Sequence, residues 1–374
     1  MTTTGKARVE ERSGRVRVLS FVIVLVIMVV SFVVVRIVGP TPPLTEVTVI
    51  AGSENQPFFA DPAVIDAFAA HGYQLDVEFQ GSWEMTKAPD LCAHDLMLPS
   101  SEPAADAVSD RCHVASGQPA YYSPMVIVTR ANIAALLQQE GIAKHDPKSG
   151  EWTFDLSRYL QLVQSGLRWN QIPGNTTFQS PNKMLIGTTD PQKSNSAAMY
   201  ASMAAYLLND DIPLSSMADV DRVAPFIKQY LFDAQGYLSN STEQPFLDFR
   251  GSLGESVEPM LWGYEAQYLD VALNSPGDIP AQGIVMMYPS PTAVAYHTIV
   301  PTSDNGTKVG QLLTGQTSDP TFLKLEAKHG WRTLDPQDTF TSLMRSRGIS
   351  VPTAPDIAPL PASEFLQALL KAIK

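Results

Sequence analysis

Residues 18–35 (VLSFVIVLVIMVVSFVVV) hold no charge and no proline, and only Ser20 and Ser31 interrupt the apolar run. Eighteen helical residues rise about 27 Å, close to the hydrocarbon thickness of a bilayer. Beyond this run the pattern changes to short alternating and apolar stretches. Residues 46–51 (EVTVIA) are rich in β-branched side chains, predict a strand, and stop at Gly52-Ser53. Asp61-Pro62 supplies an N-cap and a first-turn proline for a helix through His71, and Gly72 ends it. Residues 73–79 alternate apolar with polar, a second strand, and lead to Gly81-Ser82. A third strand over 95–98 runs into Ser100-Ser101, a helix follows over about 103–109, and 125–129 predicts a fourth strand.

The same alternation continues. Residues 184–188 read as a strand, and a polar loop, Thr189 to Ser196, precedes the helix-forming run 197–208 (AAMYASMAAYLL). Helices are expected near 219–232, 256–270 and 319–328, and strands at 284–288 and 293–300. A proline-rich stretch at 351–361 leads to a last helix, SEFLQALLKAIK. Its Phe365, Leu366, Leu369, Leu370 and Ile373 fall on one face, so it should pack on the rest of the chain. Strand–helix alternation predicts an α/β fold with mostly parallel sheets flanked by helices, and a ligand crevice at the C-terminal ends of the strands. Three of those ends carry serine: Ser53, Ser82 and Ser101. The Ser194-Asn195-Ser196 turn starts a helix with no acidic residue in its first turn. That arrangement is ordinary capping, and it also presents backbone N–H groups and a positive dipole end to a polar or anionic group.

Charge sets the compartment. Residues 1–17 carry +3 and only Arg36 follows the apolar run, so the positive-inside bias places the N-terminus in the cytoplasm and the rest outside. Subtracting that +3 from the overall −12 leaves −15 for the remainder, which repels nucleic acid and anionic lipid; neither is expected as a partner. A cleavable signal normally has a shorter apolar core, whereas this run is long, is followed by Arg36 and prolines, and has no cysteine directly after it for lipid attachment, so an uncleaved anchor over 18–38 is expected, with 39–45 as a linker. Outside the membrane the two cysteines, Cys92 and Cys112, should form a disulfide. His94 and His113 lie beside them and suggest a metal site as the rival, but the Cys-x-His and Cys-His spacing is not that of zinc sites. No metal or cofactor is therefore expected.

Enzyme motifs fail on their mechanics. Ser180 to Lys183 matches Ser-x-x-Lys, and Ser303-Asp304-Asn305 and Lys308 follow. These last two elements are adjacent here, whereas penicillin-recognising enzymes place them on separate structural units. Gly-x-Ser-x-Gly, a phosphate-binding Gly-rich loop and His-Glu-x-x-His are all missing from the sequence. The chain reads as a non-enzyme.

The segments IAGSENQPFFADPAV (50–64), VEFQGSW (77–83), YYSPMVIVTR (121–130), IGTTDPQKSNSAAMY (186–200) and VMMYPSPTAVAYHTIVP (285–301) give the chain a familiar order. It resembles the two-lobed substrate-binding proteins of ABC importers, of the type 2 class that includes sulfate and molybdate binders. The resemblance implies one lobe from 45–124 plus 289–374, a second from 130–283, and a hinge at the two crossovers. It implies a small polar or anionic solute held between the lobes by Ser53, Ser82 and Ser101 from one side, and by Thr189, Ser194, Asn195 and Ser196 from the other. Tyr264, in Gly-Tyr-Glu, is a further candidate. A partner ABC permease or other membrane protein is implied too; the alternative is a scaffold on the same fold without a transported ligand. Glu54, Glu84, Glu258 and Glu265 lie near these motifs. Any of them facing the cleft would repel an oxyanion and favour a polar or cationic organic ligand. Sequencing the N-terminus of the membrane-extracted protein should return the intact start; a mature start near residue 45 would overturn the anchor.

Overall fold

The computed structural model describes residues 43–115, 117–251, 258–353 and 355–374. The expected cytoplasmic segment 1–17, the anchor 18–38 and most of the linker lie outside the described residues. No helix among the described residues is long and apolar enough to cross a membrane.

The fold is mixed α/β, with two sheets flanked by helices. The first sheet has the order β10 (Val300–Pro301), β3 (Leu96–Leu98), β1 (Thr45–Ala51), β2 (Tyr73–Phe79). Its central β1–β3 pair is parallel, Val49 opposite Leu96. The local signals around it act as expected. Asp61 caps the Pro62–Ala70 helix by accepting the Ala63 N–H, and Gly72 leaves the helix at φ +85°.

The second sheet is built on β4 (Pro119–Arg130), twelve residues long. Its first half, Pro119 to Pro124, pairs with β9 (Val294–Thr298), and Tyr121 and Tyr122 pair with β11 (Arg332–Thr333). Its second half, from Met125 on, pairs with β7 (Met260–Tyr264) and β8 (Ile284–Ser290). Two further strands, β5 (Ala143–His145) and β6 (Trp152–Asp155), extend the far edge beyond β8. Only the β6–β8 pair of this sheet is parallel; the pairings along β4 and between β5 and β6 are antiparallel. The expectation of mostly parallel strands thus needs correcting here. A chain that leaves along β4 and returns along β8 and β9 beside it must run the opposite way.

Three local expectations also change. Residues 184–188 form no strand; Gly187 alone bridges Leu261. The expected helix at 256–270 is β7 followed by the Glu265–Asn274 helix. Every residue of Met260–Tyr264 is buried, and the unpaired edge of β4 draws that apolar run into the sheet. The run at 219–232 is helical but splits into Met217–Phe226, which contains Pro225, and a π-helical Ile227–Phe232.

The Asn195–Leu208 helix is buried continuously from Asn195 to Ala205 and forms the axis of the largest core. Its alanines let neighbouring elements approach on all sides. The last helix, Ser363–Ala372, buries Leu366, Leu369 and Leu370 in that same core. It packs on Met217–Phe226, Asn195–Leu208 and Glu102–Cys112. It is therefore not confined to the neighbours that the 289–374 grouping would give it. Each buried leucine contributes about 1.5–3 kcal/mol by area.

Cys92 and Cys112 form a disulfide between the Leu91–Ala93 turn and the end of the Glu102–Cys112 helix. Closing a span of 20 residues should stabilise the fold by about 3 kcal/mol. Replacing both cysteines with serine should lower the urea midpoint accordingly; an unchanged midpoint would show that the bond contributes nothing.

Candidate functional site between the strand ends and a helix start

The turns that follow β1, β2 and β3 converge on the start of the Asn195–Leu208 helix. Gly81 makes the closest approach. A Cβ there would collide with the Lys193 carbonyl, so only glycine lets the two backbones meet. The N–H groups of Trp83 and Glu84 both donate to that carbonyl, at 2.9 and 3.0 Å. Lys87 Nζ donates to the Gln192 carbonyl at 2.6 Å.

Behind this seam lies a buried polar network. Ser101 Oγ donates to Asn195 Oδ1 at 2.6 Å. Asn195 Nδ2 donates to the Ser100 carbonyl at 3.0 Å and to the Tyr264 hydroxyl at 3.5 Å. Ser82 Oγ accepts the Ser100 N–H at 3.0 Å and lies 3.2 Å from Ser100 Oγ. The Ser100 hydroxyl in turn donates to Glu54. Asn195 is the hub, since it joins groups that are 94 and 69 positions away in the chain.

The predicted site residues fare differently in this arrangement. Ser82, Ser101, Asn195 and Tyr264 belong to one connected network. Ser53 is buried in the Ser53–Asn55 turn, and its neighbours Glu54 and Asn55 make the contacts. Ser194 is the N-cap without a capping bond; its Oγ lies 3.4 Å from Thr242 Oγ1. The hydroxyls of Thr189 and Ser196 are buried and without a hydrogen-bond partner, while the Ser196 carbonyl accepts the Trp262 indole N–H at 3.0 Å.

The four acids separate by position. Glu265 is fully buried, but Arg332 binds both its oxygens, at 2.6 and 2.8 Å, and Tyr288 donates to it, so its charge is spent inside the fold. Glu84 is partly exposed and lies 3.5 Å from Lys193 Nζ across the seam. Glu258 packs against Gly187, away from the network, and burial raises its pKa. Glu54 is the one inside. It is 6% exposed, and its pKa is pushed up to about 7 by burial, which the Ser100 bond only partly offsets. Among the described residues its only basic neighbour within 4 Å is His297, at 3.8 Å; burial lowers that imidazole to about 3, so it is neutral. Burial, and then the nearby Glu54 charge, hold the Tyr264 hydroxyl well above its usual value.

Glu54 also borders a cavity of about 200 Å³ walled by Phe58 and Trp331 on one side and by Glu243, Phe246 and Gln267 on another. Sequence reasoning passed over Ser100 as one of a pair, and over Glu243 and Gln267 entirely. Nothing local marks the last two. Gln267 becomes legible only once Tyr264 is known to end a strand, because its side chain then caps the Tyr264 N–H.

This mixed α/β fold with two helix-flanked sheets matches solved structures over most of their length. The sulfate-binding protein SubI from Mycobacterium tuberculosis H37Rv is 18% identical, with 86% of this chain and 96% of that one covered and a TM-score of 0.52. A periplasmic thiamin binding protein is 12% identical, covering 88% and 97%, with a TM-score of 0.57. The apo ferric ion-binding protein A of Pasteurella haemolytica is 13% identical, covering 88% and 96%, at 0.53. The fold is periplasmic-binding-protein-like. No family model and no curated protein sequence matches the chain.

A carboxyl that keeps its proton in the fold beyond its ordinary pKa of 4.5 makes stability fall as the pH rises from there to about 7. From Glu54 alone the loss should be about 3 kcal/mol. Glu54→Gln should flatten the stability profile between pH 5 and 8 in chemical denaturation. Equal slopes for the variant and the parent would mean that this carboxyl titrates normally.

Proposed function

We propose that this chain is an extracytoplasmic solute-binding protein, held at the membrane by residues 18–38, that takes a small polar solute between two lobes. The lobes are 45–124 with 289–374 and 130–283, the last helix reaching across from the first to the second. The hinge lies in the crossovers 124–130 and 283–289. The solute is passed to an ABC permease or sensed.

The observation that carries this reading is the meeting of Ser82, Ser101 and Glu54 with Asn195 and Tyr264 at one buried junction. Hydrogen-bonding groups from distant parts of the chain are concentrated there, where closure removes water and strengthens each bond. The hand-over of β4 from β9 to β7 and β8 between Pro124 and Met125 supports the hinge position. The similar folds whose names include sulfate, thiamin and ferric ion binding support the class of function. The anionic half of the solute expectation is weakened. A buried carboxyl without a counter-ion repels an oxyanion, and of the two lysines described near the helix start, Lys193 pairs with Glu84 and Lys87 donates to the Gln192 carbonyl.

A second reading has its own support. Ser101 and Asn195 satisfy each other across the junction, as do the Trp83 and Glu84 N–H groups and the Lys193 carbonyl, which suits a scaffold whose cleft is sealed. Two measurements separate the readings. A bound solute at 100 times its Kd should add about 2.7 kcal/mol to stability and reduce the radius of gyration in small-angle scattering. A broad panel of ions, amines, sugars and amino acids giving neither effect would favour the scaffold.

A further inference from the structure

Resting on the solute-binding reading, we infer that the cavity beside Glu54 receives a small organic cation, a solute whose recognised group is an ammonium. The cavity, about 200 Å³, is smaller than the roughly 300–1,000 Å³ of drug-sized sites. It suits a molecule of choline or short-diamine size.

Charge bookkeeping along its wall decides the class. Three carboxyl groups border it: Glu54, Glu243 and Asp270. The two basic side chains that border it are already engaged. Arg250 pairs with Asp278 at 3.1 Å and lies over the Phe246 ring; it forms no ion pair with Glu243, and its charge offsets only part of the rise that burial causes in that carboxyl's pKa. His329 is held between Asp61, at 3.0 Å from Nε2, and Asp270, at 2.6 Å from Nδ1. Both ring nitrogens of His329 are thus already taken by aspartate oxygens. Glu54 and Glu243 are left with neutral donors only, Ser100 for the first and Gln267 for the second, at 3.0 Å. Among the described residues no lysine or arginine lies within ion-pair distance of either. Glu54 is a second, independent pointer. Its side chain is 4% exposed, and a buried carboxyl facing a cavity without a counter-ion calls for one from outside.

The rest of the wall fits the same guest. Phe58, Phe246 and Trp331 line the cavity, and aromatic faces attract ammonium groups that carboxylates hold in place. Burial raises the pKa of both Glu54 and Glu243, and the nearby Glu243 adds to the cost of ionising Glu54. The other titratable groups against Glu54, namely His297, Tyr121 and Tyr264, are neutral near pH 7, so they do not supply the missing charge. A bound ammonium would favour the ionised carboxylates and release protons.

Isothermal titration calorimetry with choline, putrescine and sodium sulfate tests this. Choline or putrescine should bind, with affinity rising between pH 6 and pH 8 and with proton release read from buffers of different ionisation enthalpy. Glu54→Gln and Glu243→Gln should each weaken binding about tenfold or more, and thermal melts of both variants establish that they fold. Sulfate should not bind. If sulfate or a neutral sugar stabilises the protein and no amine does, the cation assignment falls and the solute reading stands. If no probe of any class binds and scattering shows no compaction, both fall. Amine binding that is insensitive to pH and to both substitutions would place the cation elsewhere and overturn the site.

Discussion

The pairing of β4 along its whole length is the constraint on which the rest of this molecule depends. One strand of twelve residues supplies partners to four others, and its backbone groups are satisfied by β9 and β11 in the first half and by β7 and β8 in the second. Its residues from Met125 to Val128 are buried, so a one-residue slip would move every side chain to the opposite face. Away from β4, the turns after β1, β2 and β3 of the other sheet meet the start of the Asn195–Leu208 helix. Gly81 then permits the contact that a side chain would prevent.

The electrostatics of the junction follow from its dryness. Two buried acids in the same protein have opposite fates. Glu265 meets the guanidinium of Arg332, whose pKa rises because the Glu265 bonds outweigh the desolvation that opposes it. Glu54 meets a serine hydroxyl, which offsets only part of the cost of burying charge. The first pair fastens the fold. The second group leaves an unpaid electrostatic demand at the edge of a cavity, and such perturbed groups concentrate where proteins bind things.

Much of this was legible in the residue pattern, and the boundary of legibility is physical. Asp61-Pro62 to Gly72 could be read because capping and positive φ are properties of a few consecutive residues. The polar helix start at Ser194 to Ser196 could be read for the same reason, although Ser194 caps without its side chain. The strand Met260–Tyr264 could not, because an apolar run becomes strand or helix according to the edge it finds, and the edge of β4 lies some 135 residues earlier. The roles of Ser100 and Glu243 were equally hidden. What distinguishes them is a hydrogen bond and a cavity wall assembled from remote segments. Among the four acids, proximity in sequence marked Glu54 and Glu265 alike; only the location of Arg332 separated them.

The Ser363–Ala372 helix has a mechanical consequence. It rests on Glu102–Cys112 at one end of the chain's path and on Met217–Phe226 at another. Ser363 Oγ donates to the Pro103 carbonyl at 2.7 Å, and Lys228 Nζ donates to the carbonyl of Lys374. On the two-lobed reading proposed above, any jaw-like motion must either tear this clasp from one side or slide it as a piston along its groove. Clipping a dozen residues from the tail would unfasten this clasp and, by taking Leu366, Leu369 and Leu370 with it, hollow out the largest core as well.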